Sequence, residues 1–184
     1  MTNAEVKTPR ERYREQMRAE IKQCARDQIA TAGASALSLN AIAKHLGMSG
    51  PALYRYYANR DALITDLIRD AYRSLADTFR TARDAGAQPP ELAAALRDWA
   101  LADPHRYLLI YGTPVPGYHA PADTTAISDE VMHALLEVML PAQALTFWTR
   151  LHGVLSLELA GHFTGMSVDP ATLFANEVNS LVGE

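Results

Sequence analysis

The chain carries a single cysteine, Cys24, among 184 residues. No internal disulfide can form, and a reducing compartment is expected. Cys24 falls on the inner face of the first expected helix, where it reads as a small buried hydrophobe rather than a reactive thiol. No uninterrupted apolar stretch approaches the length of a membrane span, and the charged N-terminus lacks the apolar centre of a signal peptide. A cytoplasmic protein with no membrane partner is therefore expected. No phosphate-cradling glycine loop occurs, and Gly47-Met48-Ser49-Gly50 lacks the glycine spacing of a nucleophile elbow. Segments of alternating polarity, internal repeats and low-complexity tracts are also missing, which leaves an all-α fold.

What is present supports a folded, two-part chain. Hydrophobic residues make up 48% of the sequence, enough for a substantial core, and the length suits one large domain or two small ones. The net charge of −4 is unevenly divided. Residues 1–60 hold ten Lys or Arg against five Asp or Glu, whereas residues 61–184 hold seven against sixteen. An acidic body is repelled by phosphates, so the basic first third is the part suited to nucleic acid. The basic excess starts in Lys7, Arg10, Arg12, Arg14 and Arg18.

The most telling stretch runs from Leu37 to Leu63. Ser38 is placed to cap a helix in which Leu39, Ile42, Ala43 and Leu46 recur at helical spacing. Gly47 can take the left-handed backbone that ends this helix, and Ser49 can cap the next. Small Ala43 permits close approach, Gly47 turns the chain, and Leu53 plugs the gap between the two helices. That spacing fits a helix-turn-helix. With Leu53 and Tyr57 inward, Gly50, Ala52, Tyr54, Arg55 and Tyr56 are left for the outer side.

Thr8-Pro9-Arg10-Glu11 reads as a capping box, starting a first helix at Pro9 that runs to about Thr31 and presents Met17, Ile21, Cys24, Ala25 and Ile29 to the core. The residues ahead of it form either an arm along DNA or a frayed tail. Asn59 caps a fourth helix carrying Leu63, Leu67, Ala71, Leu75 and Phe79 on one side and ending before Gly86. Prolines then mark later helix starts near 90–102, 104–111, 124–140, 142–165 and 171–182, with one long loop at 112–123. The expected organisation is about nine helices: a helix-turn-helix domain at 9–58, a connecting helix at 59–84, and a C-terminal domain at 85–184.

Residues 13–79 resemble the DNA-binding domain of the TetR family of transcriptional regulators, above all in GMSGPALYRYYANRDAL. That family usually shows Tyr at the place of Tyr54, an aromatic or His at Tyr56, an aromatic at Tyr57, and Lys at Arg60. The resemblance implies a DNA interface formed by Ser38, Asn40, Ser49, Gly50, Pro51, Ala52, Tyr54, Arg55, Tyr56 and Arg60. Asn40 stands where the second helix reaches a base, Tyr54 and Tyr56 contact phosphate or thymine methyls, Arg55 suits bidentate guanine readout, and Arg60 holds phosphate. Gly50 departs from the larger polar residue often found there, which removes direct readout at that place.

The stretch ALTFWTRLHGVLSLELAGHF is apolar nearly all round, as in a helix buried on several sides. Gly153, Ser156 and Ala160 form a stripe of small residues and are the expected dimer interface, beside a bulkier stripe of Trp148, Leu151 and Leu155. Two such stripes are more than the last helices of one chain cover, so a two-fold homodimer is expected. Trp148, His152 and Gly153 resemble the WHG signature of a TetR-like C-terminal domain, implying a ligand pocket inside each subunit. Its expected lining is Trp99, Tyr107, Tyr111, Met132, Leu135, Phe147, Trp148, Leu151 and His152, suited to a small apolar or aromatic effector.

The expected function is a ligand-responsive regulator, most simply a repressor, that binds a palindromic double-stranded DNA operator and needs no cofactor. A constitutive DNA-binding dimer without effector is the alternative. A histidine-dependent metalloenzyme is the rival class, but Glu158 and His162 share a helix face with no third ligand evident, so neither metal nor catalytic residues are expected.

Overall fold

In the computed structural model, residues 7–182 are described. They form nine α-helices and one short 3-10 turn, with no strand. The arm expected ahead of the first helix falls mostly outside these residues.

Helix α1 spans Pro9–Ala32 and begins with the expected capping box. The Glu11 amide donates to Thr8 Oγ1 at 3.3 Å, and the Thr8 amide donates to Glu11 Oε2 at 2.7 Å. Two free backbone N–H groups are thereby satisfied. Ile21, Ala25 and Ile29 are buried along one stripe, and the helix stops at Gly33, whose φ of 79° is left-handed. The 3-10 turn Ala34–Ala36 leads to α2, Leu39–His45. Ser38 does two jobs there: its Oγ accepts from the Ala41 amide, and its own amide donates to Gln28 Oε1 on α1 at 3.0 Å.

Helix α3, Gly50–Tyr54, follows a turn in which Gly47 has φ 65° and the Met48 amide donates to the Ala43 carbonyl at 2.8 Å. Ser49 caps it through the Ala52 amide, and Pro51 stands in its first turn. Helix α4, Arg60–Asp84, is capped by Asn59 Oδ1 accepting from the Ala62 amide at 2.8 Å. Its expected stripe of Leu63, Leu67, Ala71, Leu75 and Phe79 is buried. Two compact units divide within α4, after Leu67.

The second unit adds α5 (Pro89–Ala102), α6 (Pro104–Tyr111), α7 (Ala122–Leu136), α8 (Pro141–Leu159) and α9 (Pro170–Val182). Four of the five open on a proline, where the missing N–H costs nothing, and α7 has Pro121 as its N-cap. Asp103 caps α6 through the Arg106 amide at 3.0 Å. Phe79, Leu92, Leu96, Tyr107, Leu135, Phe147, Leu151 and Phe174 meet in one core. Arg97 and Glu158, each only 16% exposed, form a two-pronged pair at 2.5 and 2.8 Å that joins α5 to α8, and the Arg97 guanidinium lies over the Phe174 ring of α9.

Helices α7 and α8 end sooner than their apolar patterns suggest. Leu140 precedes a proline and is extended (ψ 152°), so α7 must unwind before it. Beyond Ala160, Gly161 and Gly165 take φ near 80°, which breaks α8 into turns. No single helix among the described residues is long and apolar enough to cross a membrane.

A Cβ at Gly47 would meet open space, so any cost of Gly47→Ala comes from its left-handed backbone alone. We expect a loss of about 1 kcal/mol, read as a lower urea midpoint with unchanged slope. An unchanged midpoint would show that the turn tolerates an L side chain.

Candidate nucleic-acid interface

One short face of the first unit combines exposure, a basic side chain and rigid support. Leu53 is 1% exposed and anchors α3 from below. Tyr57, also buried, donates its hydroxyl to Asp66 Oδ2 on α4 at 2.7 Å. Arg18 of α1 donates to the Tyr56 carbonyl at 3.1 Å, lies over the Tyr57 ring at 5.0 Å, and approaches Asp66 at 3.5 Å. Lys22 adds a second cation 3.9 Å from the same carboxylate. The segment just after α3 is thus held by both α1 and α4.

On the other side, Tyr54 is 47% exposed, and Arg55 and Pro51 are exposed beside it. Gly50, Ala52 and Tyr56 are half-buried, and Asn40 is exposed on α2. Ser38 and Ser49 are placed as expected at the helix starts, but their hydroxyls already accept backbone N–H groups. Arg60, the expected phosphate ligand, has a partner within its own chain. Its Nη2 donates to the Ala34 carbonyl at 2.7 Å, its Nε is buried without a partner, and the side chain is half-buried. Arg60 braces the start of α4 against the turn after α1.

The second unit gathers most of the expected effector residues in one aromatic cluster. His152 has ring centroids of Trp148 at 4.1 Å and Tyr111 at 4.3 Å. Tyr107 lies 2.8 Å from His152 Nδ1 and 2.9 Å from Ser156 Oγ through its hydroxyl. Tyr111 also touches Tyr107 and Tyr72, and Trp148 touches Phe79. Trp99 joins through Tyr107 and donates Nε1–H to Ser74 Oγ at 3.0 Å. Leu135, Phe147 and Leu151 are fully buried in the surrounding core, and Met132 packs against it half-buried. The sequence reading missed Tyr72 and Ser74, which lie on α4 beside its apolar stripe.

Burial sets the chemistry of this cluster. It pushes the Tyr72, Tyr107 and Tyr111 hydroxyls above the usual phenol range, and pushes His152 down to about 4, so that all four groups are neutral at pH 7. His152 Nε2 is buried with no hydrogen-bond partner.

The small-residue stripe of α8 splits. Gly153 and Ala160 are exposed, whereas Ser156 turns its hydroxyl to Tyr107. The exposed face instead includes Leu145 and Leu157, 57% and 45% exposed, in register with Thr149 and Gly153. Glu158 is committed to Arg97, and among the described residues no group of three or more His, Cys, Asp or Glu is placed to hold a metal.

Residues 23–67 match the family model for bacterial regulatory proteins of the tetR family, and residues 89–181 match a tetracyclin repressor-like C-terminal domain. The chain belongs to the TetR family of transcriptional regulators. Members of this family bind DNA and are not enzymes. The chain is 57% identical to the candidate regulatory protein SCO4313, whose crystal structure superposes with a TM-score of 0.92, covering 96% of this chain and 100% of that one. The HTH-type transcriptional regulator Rv1816 of Mycobacterium tuberculosis is 45% identical over 133 residues, which are 68% of this chain. The match spans 57% of that relative's length. A TetR variant from Acinetobacter baumannii, solved in complex with minocycline, shares the fold at 16% identity, with a TM-score of 0.55 over 89% of this chain and 92% of that one.

Neutral burial of His152 in this TetR-family chain has a pH signature. Between pH 6.5 and about 4 the unfolded chain binds a proton at His152 that the folded chain refuses. Stability is therefore unaffected by this group above pH 6.5 and falls as pH drops through that window, by up to about 3 kcal/mol. The His152→Phe variant should lose less stability than the parent between pH 7 and 4 in thermal melts. Parallel pH profiles would contradict the neutral burial of this ring.

Proposed function

We propose that this TetR-family chain is a cytoplasmic, ligand-responsive repressor that binds a palindromic operator as a homodimer and is released by a small apolar or aromatic effector. The observation that carries the DNA reading is the firmly held α3, which turns Tyr54 and Arg55 outward from the basic third of the chain. Arg55 has the forked donors needed to read a guanine edge, and Tyr54 has a phenol for phosphate or a thymine methyl. Asn40, Gly50, Pro51, Ala52 and Tyr56 complete the surface.

The uncharged outer face of α8 supports self-association. Gly153 is exposed, and a Cβ there would meet nothing in its own chain, so its small size serves no packing within the subunit. A second copy approaching closely at Gly153 and Ala160, flanked by Leu145 and Leu157, gives that smallness a use. Trp148, His152 and Gly153 support a WHG-type C-terminal domain. The aromatic cluster supports an effector site, because its tyrosines and His152 are neutral while His152 Nε2 is left without a partner. The fold also accommodates a small molecule in the Acinetobacter baumannii protein, which is in complex with minocycline.

In vitro selection from random duplexes at near-physiological salt tests the reading. We expect enrichment of an inverted repeat with half-site centres roughly 34–36 Å apart, and an Arg55→Ala variant that loses about 1–3 kcal/mol of discrimination at one base pair of each half-site. Recovery of no common sequence would overturn it.

A further inference from the structure

Two turns of α1 overhang the first unit. Every residue from Lys7 to Gln16 is exposed, Tyr13 by 61%, whereas from Ile21 onward the same helix is packed into the core. At 3.6 residues per turn, Arg10 and Arg14 lie within about 40° of Ile21 around the helix, and Arg18 follows about 40° further on. The face that is apolar over the domain thus becomes cationic where it projects beyond it. Arg12 lies on the opposite side.

The acidic residues of this segment do not neutralise the stripe. Glu11 is held by the Thr8 cap, and Glu15 pairs with Lys7 at 2.6 Å. Arg10 and Arg14 have no side-chain partner among the described residues. Arg18 ties the stripe to the segment that follows α3, since its guanidinium donates to the Tyr56 carbonyl. From Arg18 to Arg10 is eight residues, a rise of about 12 Å along the helix.

We infer that Arg10 and Arg14 form a second DNA-contacting surface, continuous with α3, which grips backbone phosphates on the flank of each half-site. The inference rests on the DNA-binding reading above. Two freely placed guanidiniums on a rigid helix suit phosphate oxygens, and such contacts add affinity without selecting bases. A rise of about 12 Å along α1 separates Arg10 from the Arg18 contact at Tyr56, so the phosphate contacts lie apart from the side chains of α3.

The test uses the full chain and a duplex enriched by the parent protein. Arg10→Gln/Arg14→Gln keeps good helix formers at both places, and Arg12→Gln removes one charge from the opposite side. We expect the double variant to bind roughly tenfold more weakly at near-physiological salt, with a salt slope shallower by about two. Hydroxyl-radical protection on the outer flank should vanish while the half-site remains protected. Arg12→Gln should keep both the slope and the flanking protection. A double variant with parental slope and footprint on a duplex that the parent recognises would overturn this inference and leave the DNA-binding reading standing. So would an Arg12→Gln loss equal to half that of the double variant, since general charge attraction would then explain both. Failure of the parent to enrich any duplex would remove the reading itself, and this inference with it.

Discussion

The recognition helix is five residues long, and everything proposed for the first unit depends on its being held still. Isolated helices shorter than about 12–15 residues are marginal in water, so α3 takes little order from its own hydrogen bonds. The Tyr57–Asp66 bond and the Arg18 contacts to Tyr56 and Tyr57 supply that order from α4 and α1. Asp66 receives one hydroxyl and two cations, so its charge is well compensated in a half-buried place. Leu53 fixes depth, and the Tyr57 node fixes rotation. Tyr54 and Arg55 can then face outward from a backbone that has little freedom to turn them away.

The second unit follows a different rule. Arg97 pairs with Glu158 and Arg150 with Glu177, the Arg106 guanidinium lies over the Trp99 ring at 4.3 Å, and His152 among the aromatic rings is neutral. The hydroxyl of Tyr107 links α6 to α8 through His152 and Ser156, and His152 Nε2 is one of the buried polar atoms of this unit left without a hydrogen-bond partner. An unmade hydrogen bond in such surroundings costs on the order of 1–3 kcal/mol. A bound molecule that supplied the partner would recover that cost. The outer face of α8 carries no charge from Leu145 through Gly153 to Leu157 apart from the Arg150 and Glu177 pair at its edge.

Much of this fold was legible in the sequence because helix starts have local chemistry. Thr8, Ser38, Ser49 and Asn59 each accept the N–H that their spacing suggested. Helix ends were less legible: the apolar rhythm of α7 and α8 continues past their last turns, and the backbone limits at Leu140 and Gly161 stop them. Contacts distant in sequence were not legible at all. The charge of Arg60 and its place in the motif suggested a phosphate contact, and nothing local in the sequence showed that its guanidinium also reaches the Ala34 carbonyl across 26 residues. Ser156 looked like part of an outward stripe, and its hydroxyl meets Tyr107 across 49 residues. Small side chains are consistent with either face of a helix, so spacing alone does not separate a packing stripe from a hydrogen-bonded one.

Hydrogen exchange of the full chain, with and without a duplex that it selects, tests most directly whether α3 and its supports are the DNA-reading surface. The account predicts new protection centred on residues 49–57, with a smaller effect over 38–45. Protection confined to residues 89–181, or spread evenly over the chain, would contradict it.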